Sequence, residues 1–328
     1  MTDIRNKNNI IGRVAIAAAF AVFVLLLLGP AYSVAQIPAT AIIYPDIREP
    51  FKSVFMNIIK GIGDSLGGNI ETRALTDTDT ATEVLAWTHQ KNLRTVVTLG
   101  NQAYSMTDVL SRDFPVVIGA INMSPELLRS PHYGITLNPD PASLMKRLKS
   151  LAPGITRVLV VYHREQDAWM IEKAAKPAQE LGITLQTSAV ESLAEAANKY
   201  REIMNNQVSD TDALWLPQDS AVMDEQAMLP VILKEAWDKR LIVFSSNPSF
   251  VKRGVLFALY PDNYNMGRSL GDMARRTQTP GFRDDPAAQK LESLRDLLIA
   301  FNIRTAAHLG IKYSRDDLNN FDLVFPSR

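Results

Sequence analysis

The hydrophobic pattern opens with an unbroken apolar run, Val14 to Leu28, set behind Arg5, Lys7 and Arg13. Gly29-Pro30 ends the run, and Ser33-Val34-Ala35 precedes Gln36. A basic start, a short apolar core and a small-x-small ending are the three parts of a secretory signal peptide. The run is shorter than the roughly 20 residues that span a bilayer comfortably, and an uncleaved N-terminal anchor is the alternative. Residues 1–35 are therefore expected to be a signal peptide, with the remaining chain periplasmic. No Cys follows the run, so a lipoprotein anchor is not expected.

Beyond residue 35 short apolar runs alternate with amphipathic stretches. Ala41 to Tyr44, Asn69 to Ala74, Thr95 to Leu99 and Pro115 to Ile121 read as strands. Helices are predicted over Phe51 to Leu66, closed by Gly67-Gly68, and over Thr80 to Gln90, with Asp79 as N-cap. A further helix should open from Asn101, after Gly100. The pattern then restarts. Helices are predicted over Asp140 to Leu151, Asp167 to Leu181, Ser192 to Asn205 (capped by Ser192) and Asp224 to Lys239. They separate strands at Arg157 to Tyr162, Ile183 to Thr187, Ala213 to Leu216 and Leu241 to Phe244. Val255 to Tyr260 is another strand, followed by a helix from about Asn263 to Arg276. Runs such as Thr95-Val96-Val97-Thr98-Leu99 suit strands buried on both faces of a parallel sheet. Alternation of strand and helix on this scale means βαβ units. Two such series, joined near Asn138-Pro139-Asp140-Pro141, predict two α/β lobes.

Composition narrows the chemistry. The whole chain carries 35 basic and 35 acidic residues, and residues beyond 35 retain 32 and 34. No basic stripe is visible, so a nucleic-acid partner is not expected. The chain has no cysteine, which removes disulfides, thiolate nucleophiles and Cys-ligated metals together. Roughly 290 residues after a signal peptide are enough for a core without cross-links, in two domains.

Several enzyme signatures match by letter and fail by context. Gly267-Arg268-Ser269-Leu270-Gly271 fits G-x-S-x-G, with Asp296 and His308 following in hydrolase order. A nucleophile elbow needs its serine on the turn straight after a strand, whereas Ser269 falls inside a predicted helix. Small residues that let that helix pack closely account for it better. Gly61-Ile62-Gly63 with Gly67-Gly68 lies at the end of a helix instead of opening one after a strand, so a dinucleotide loop is not supported. His89, His132, His163 and His308 show no i, i+3 or i+4 pairing, so no metal site is expected. Catalytic residues and cofactors are likewise not expected.

Polar and aromatic residues recur where predicted strands end. Tyr44-Pro45-Asp46, Gly100-Asn101-Gln102, Asn122, Gln218-Asp219-Ser220 and Ser245-Ser246-Asn247 each follow one. Open α/β sheets bind ligands outside the carboxyl ends of their strands. Any one of these residues could serve only as a helix cap or turn former. Their recurrence in both lobes is the stronger signal.

Seven segments together resemble ABC-transporter substrate-binding proteins of the type I periplasmic-binding fold, in particular the group of tryptophan and aromatic amino acid binders. They are Phe114-Pro115-Val116-Val117, Tyr133 to Leu137, Leu151 to Val158, Leu214 to Asp219, Val251 to Leu259, Asn263 to Arg268 and Phe301 to Gly310. Departures from the family pattern fall near the cleft, at His132-Tyr133-Gly134-Ile135-Thr136, Asn122-Met123-Ser124 and Tyr44-Pro45-Asp46. The resemblance implies two lobes joined by crossing strands, with lobe one at 36–137 and 259–300 and lobe two at 138–258 and 301–328. It implies non-catalytic capture of a small, amino-acid-like solute by lobe closure, for delivery to the membrane permease of an ABC importer. Asn101, Gln102, Asn122, Asp219 and Asn247 are the expected hydrogen-bonding residues, and Tyr44 and Tyr260 the expected stacking surfaces. A periplasmic sensor subunit bound to a membrane signalling receptor, without transport, is the alternative.

Cleavage is expected after Ala35, leaving Gln36 as the first residue of the exported protein. N-terminal sequencing checks this, and a start that retains Val14 to Leu28 would indicate an anchor instead.

Overall fold

The computed structural model describes residues 40–129, 131–206, 208–282 and 290–326. The expected signal segment lies outside the described residues. Among the described residues, no helix is long and apolar enough to cross a membrane.

Two α/β sheets form the frame. The first contains β1 (Thr40–Pro45), β2 (Ile70–Leu75), β3 (Thr95–Leu99), β4 (Val116–Gly119), β5 (Tyr133–Pro139) and β11 (Leu291–Leu294). Their order is β11-β5-β4-β3-β1-β2, and every pairing is parallel. The second contains β6 (Arg157–His163), β7 (Thr184–Val190), β8 (Asp212–Leu216), β9 (Ile242–Ser245), β10 (Phe257–Pro261), β12 (Leu297–Asn302) and β13 (Leu323–Phe325). Their order is β13-β12-β10-β9-β8-β6-β7, parallel except where β12 runs against β10. Every residue of β3, β8 and β9 is buried, as continuous apolar runs require when helices cover both faces of a sheet. Both sheets fall within one compact unit.

Three connections join the sheets. The chain leaves the first after β5, returns from the second after β10, and steps from β11 to β12 across two residues. The expected lobe boundaries at 258/259 and 300/301 thus fall inside strands β10 and β12 of the second sheet. Aromatic residues fill the second sheet's core. Trp215, Phe244 and Phe257 stack in series at centroid separations of 6.1 and 5.3 Å, and all three are fully buried.

Thirteen helices are described: α1 (Phe51–Ser65), α2 (Ala81–Gln90), α3 (Gly100–Tyr104), α4 (Thr107–Leu110), α5 (Pro125–Arg129), α6 (Pro141–Leu151), α7 (Ala168–Glu180), α8 (Leu193–Asn205), α9 (Leu229–Asp238), α10 (Pro248–Arg253), α11 (Asn263–Arg276), α12 (Ile303–Leu309) and α13 (Arg315–Asn319). Two starts differ from the sequence expectation. Thr80, not Asp79, caps α2, through a reciprocal capping box with Glu83. Asp79 instead accepts from the Thr76 backbone N–H and pairs with Arg73. α9 begins at Leu229 instead of Asp224, because Asp224 closes a turn of its own through Gln226 and Ala227 N–H groups. Ser192 caps α8 as expected, accepting from Glu195 N–H.

The helix carrying Gly267 and Ser269, α11, packs along α1, and glycines set the distance. A Cβ on Gly61 would lie 2.0 Å from the Tyr264 carbonyl oxygen. One on Gly267 would lie 2.1 Å from the Ile58 carbonyl oxygen, and one on Gly271 2.8 Å from Ser65 Cβ. At such an approach only hydrogen fits. Polar bonds flank the contact: Tyr264 Oη donates to Asp64 (2.9 Å) and Ser65 Oγ to Asp272 (2.7 Å).

Gly267→Ala should therefore force the helices apart, at a cost of about 1–3 kcal/mol. The melting temperature should fall by roughly 2–4 °C per kcal/mol. Gly154→Ala is the control, since its added Cβ meets nothing within 4 Å. Equal melting of the two variants would contradict this account of the helix pair.

Candidate functional site: a cleft between the two sheets

A cleft of about 680 Å³ lies between the two α/β layers. The first layer contributes Phe51, Val54, Asn57 and Lys60 from one face of α1, Asn122 after β4, and Asn263 and Tyr264 from the start of α11. The second contributes Gln218 after β8, Ser246 after β9 and Pro248 at the start of α10. The connecting strands supply Leu137 and Asn138 of β5, Tyr260 and Pro261 of β10, and Leu298 of β12. These positions follow from the parallel order, which brings strand C-termini and helix starts to the same side.

The polar groups are mostly neutral amides and hydroxyls. Lys60 is the cation, with its ammonium 5.6 Å from the Tyr264 ring centre. Asp262 is the anion, and it is engaged as the N-cap of α11, accepting from Asn265 N–H at 3.0 Å. Asn138 Oδ1 accepts from Met123 N–H (2.6 Å), which joins β5 to the segment carrying Asn122. Burial, then the Asp322 and Asp262 charges, push the Tyr260 phenol up to about 12, so it remains a neutral donor. Phe51 is 62 % exposed at the start of α1, so an aromatic face stands uncovered at the cleft mouth.

Of the seven residues singled out in the sequence, Asn122 and Tyr260 line this cleft. Tyr44 packs partly buried against the core of the first sheet. Asn101 is exposed in α3, and Gln102 Nε2 donates to the Thr76 carbonyl (2.8 Å), tying α3 to the segment after β2. Asn247 caps α10 through Ser249 N–H (3.0 Å) and donates from Nδ2 to Glu225 (3.2 Å). Asp219 Oδ1 accepts from Ala221 N–H (2.8 Å). Phe51, Asn57, Lys60, Asn138 and Tyr264 went unread in the sequence. A helix following the first strand was the available signal, since its first turns sit at a strand's carboxyl end.

The letters of the hydrolase motif lie in mid-helix. Ser269 Oγ donates to Asp296 (2.6 Å), while His308 Nε2–H donates to the Trp237 carbonyl (2.9 Å) and its ring stacks on Trp237. Among the described residues, no group of three or more His, Cys, Asp or Glu could hold a metal ion.

The sequence profile described as ABC transporter substrate binding protein matches residues 58–319. The chain belongs to that family. No curated protein matches its sequence. Among solved structures it is similar to a ligand-free, open substrate binding protein with adhesive properties from Clostridium difficile. That likeness has 15% identity and a TM-score of 0.62, covering 89% of this chain and 100% of that one. It is also similar to an ABC domain in complex with L-Trp from Streptococcus pneumonia, at 20% identity and a TM-score of 0.48, covering 87% and 100%. The likeness to the Clostridium difficile protein supports the two-lobed type I periplasmic-binding architecture that the sheets here adopt.

In this substrate-binding protein a carboxyl pair lies under the second wall. Asp219 directly follows the cleft residue Gln218, and its Oδ2 is buried. Its neighbour is Asp167, at the start of α7, which also accepts from His163 N–H (3.3 Å). Burial, then the Asp219 charge and the hydrogen bond between the two groups, push Asp167 up to about 7. A proton kept on Asp167 spares the site a second buried negative charge. The buried Tyr200 phenol, pushed upward by burial and by the same two carboxyls, stays neutral beside them.

Asp167 ionises near 3.8 in the unfolded chain and near 7 in the folded one. Between these values the folded state holds the extra proton, so stability falls as pH rises from about 4 to 7 and then levels. Asp167→Asn should remove that fall and melt higher than the wild type at pH 8, with little difference at pH 4. Melting curves across this range check it, and parallel curves for the two proteins would overturn the reading of a protonated Asp167.

Proposed function

We propose that the protein captures a small polar organic solute, amino-acid-like in chemistry, between its two lobes and delivers it to the membrane permease of an ABC importer. The cleft itself carries this reading: one concave site in which both α/β layers and all three connections take part. Its volume falls within the usual range for small-molecule sites, roughly 300–1,000 Å³. Membership of the substrate-binding family supports the solute and the transporter partner. A periplasmic location follows from the same reading together with the signal-like first 35 residues.

The division of chemistry suits a zwitterion with a flat apolar portion. Lys60 stands on the first wall for a carboxylate. Asn57, Asn122, Asn138, Gln218 and Ser246 offer neutral donors and acceptors from both walls, where hydrogen bonds hold a polar solute without burying unpaired charge. Tyr260 and Tyr264 present aromatic faces, and Phe51 would be covered as the lobes close. Lobe closure buries the ligand and creates a new surface, which a permease can distinguish from the open form.

The test is calorimetric titration with the common amino acids and related small acids. Saturable binding of one class is expected. Tyr260→Ala should weaken it by about tenfold or more, in line with roughly 1.4 kcal/mol for a lost aromatic contact. Asn247→Ala, whose side chain caps α10 and does not itself line the cleft, should leave affinity unchanged and cost about 1 kcal/mol of stability as a lost cap. If no small solute binds at millimolar concentration, capture is not the function. A Tyr260→Ala protein with undiminished affinity would place the solute elsewhere.

A further inference from the structure

A second depression, of about 700 Å³, lies in the layer of the second sheet and shares no lining residue with the cleft. It is lined by Lys234 of α9, Lys252 and Arg253 of α10, and Arg304 of α12, with Trp237 and Phe325 as its aromatic wall. Among the described residues, no acidic one lines it. None of the four cations forms an ion pair among the described residues, and all four are exposed.

Helix chemistry accounts for part of this arrangement. Lys252 and Arg253 fall in the last turn of α10, where a cation complements the helix dipole. Lys234 and Arg304 have no such partner, and Arg304 lies in the first turn of α12, where a cation opposes the dipole. The fold holds Arg304 there all the same. Its guanidinium lies 5.7 Å from the centre of the Trp237 ring, and His308, one turn on, stacks on the same indole at 3.7 Å. The floor is also fixed: Asn302 Nδ2 donates to the Val251 carbonyl (2.7 Å), and Thr305 Oγ1 to the Gly254 carbonyl (2.9 Å). These bonds tie α12 to the end of α10, so the four cations converge from three helices on a braced wall. Like charges held together without counter-charge destabilise a surface, and an anion seated among them reverses the sign of that interaction.

We propose that this depression binds a phosphate-bearing anion, with Lys234, Lys252, Arg253 and Arg304 meeting the phosphate oxygens and Trp237 and Phe325 bordering the remainder of the ligand. Arg and Lys are the side chains that match phosphate geometry and charge. The size of the depression admits a phosphate ester well beyond a bare ion. The phosphate could come from a soluble ester or from the headgroup of an anionic lipid at the membrane surface.

The test uses sodium pyrophosphate in calorimetry at about 0.15 M ionic strength, where surface charges are screened beyond roughly 8 Å. Sedimentation with phosphatidylglycerol vesicles, against phosphatidylcholine vesicles, forms the second arm. The variant is Lys234→Gln with Lys252→Gln, both exposed and free of the contacts that brace the wall. The control is Arg164→Gln with Lys176→Gln, two exposed cations on another face. Saturable pyrophosphate binding is expected, weakened about tenfold or more in the variant and within about twofold in the control. Pyrophosphate binding without vesicle binding assigns a soluble phosphate ester. Co-sedimentation with phosphatidylglycerol alone, lost in the variant, assigns the headgroup. Failure of both probes to bind, or equal weakening in variant and control, overturns the proposal.

Discussion

The first wall of the cleft depends on how near α11 comes to α1. Three glycines, Gly61, Gly267 and Gly271, remove the side chains that would otherwise hold the helices apart. At Gly61 and Gly267 the packing is backbone to backbone, where an added methyl meets a carbonyl oxygen instead of a yielding side chain. This contact returns the chain to the first layer after it has built most of the second sheet. It also sets Asn263 and Tyr264 beside Asn57 and Lys60, so six of the cleft's lining residues rest on a contact between segments 200 residues apart.

The second wall is organised from beneath. β8 and β9 are buried throughout, and Trp215, Phe244 and Phe257 stack below the loops that carry Gln218 and Ser246. Ser245 is buried and donates to the Leu216 carbonyl (2.8 Å), which holds the ends of β8 and β9 in register just before those loops. The Asp167–Asp219 pair lies one residue from the cleft and keeps a proton that isolated carboxyls would have lost. This wall of the cleft therefore stands on groups that do not line it.

Charge is distributed unevenly over a chain whose basic and acidic residues balance at 35 each. The cleft is lined mainly by neutral polar groups. The depression bordered by α9, α10 and α12 gathers four cations, with no acidic residue among its described lining. Net charge, a property of the sum, carried no sign of that gathering, because Lys234, Lys252, Arg253 and Arg304 lie up to 70 positions apart.

The alternation of apolar runs with amphipathic segments determined two parallel α/β series. It did so because strands buried on both faces must be continuously apolar while their covering helices need be apolar on one side only. Ser192 as a cap and Ser269 inside a helix were legible for similarly local reasons. Asp79 was misread as the cap of α2 because Thr80 beside it is an equally good capping residue, and only the partnership with Glu83 decides between them. The cleft was legible as a rule, at strand ends, but not as a set of residues. Asn122 and Tyr260 line it, whereas Gln102 and Asn247 spend their side chains on backbone groups and neighbours nearby. Asn, Gln and Asp serve caps, turns and ligands with the same atoms, so type and position in the chain do not separate these uses. Which face of α1 looks into the cleft, and which glycine meets which carbonyl, followed only from the packing of helices distant in sequence. A local pattern holds no record of those distances.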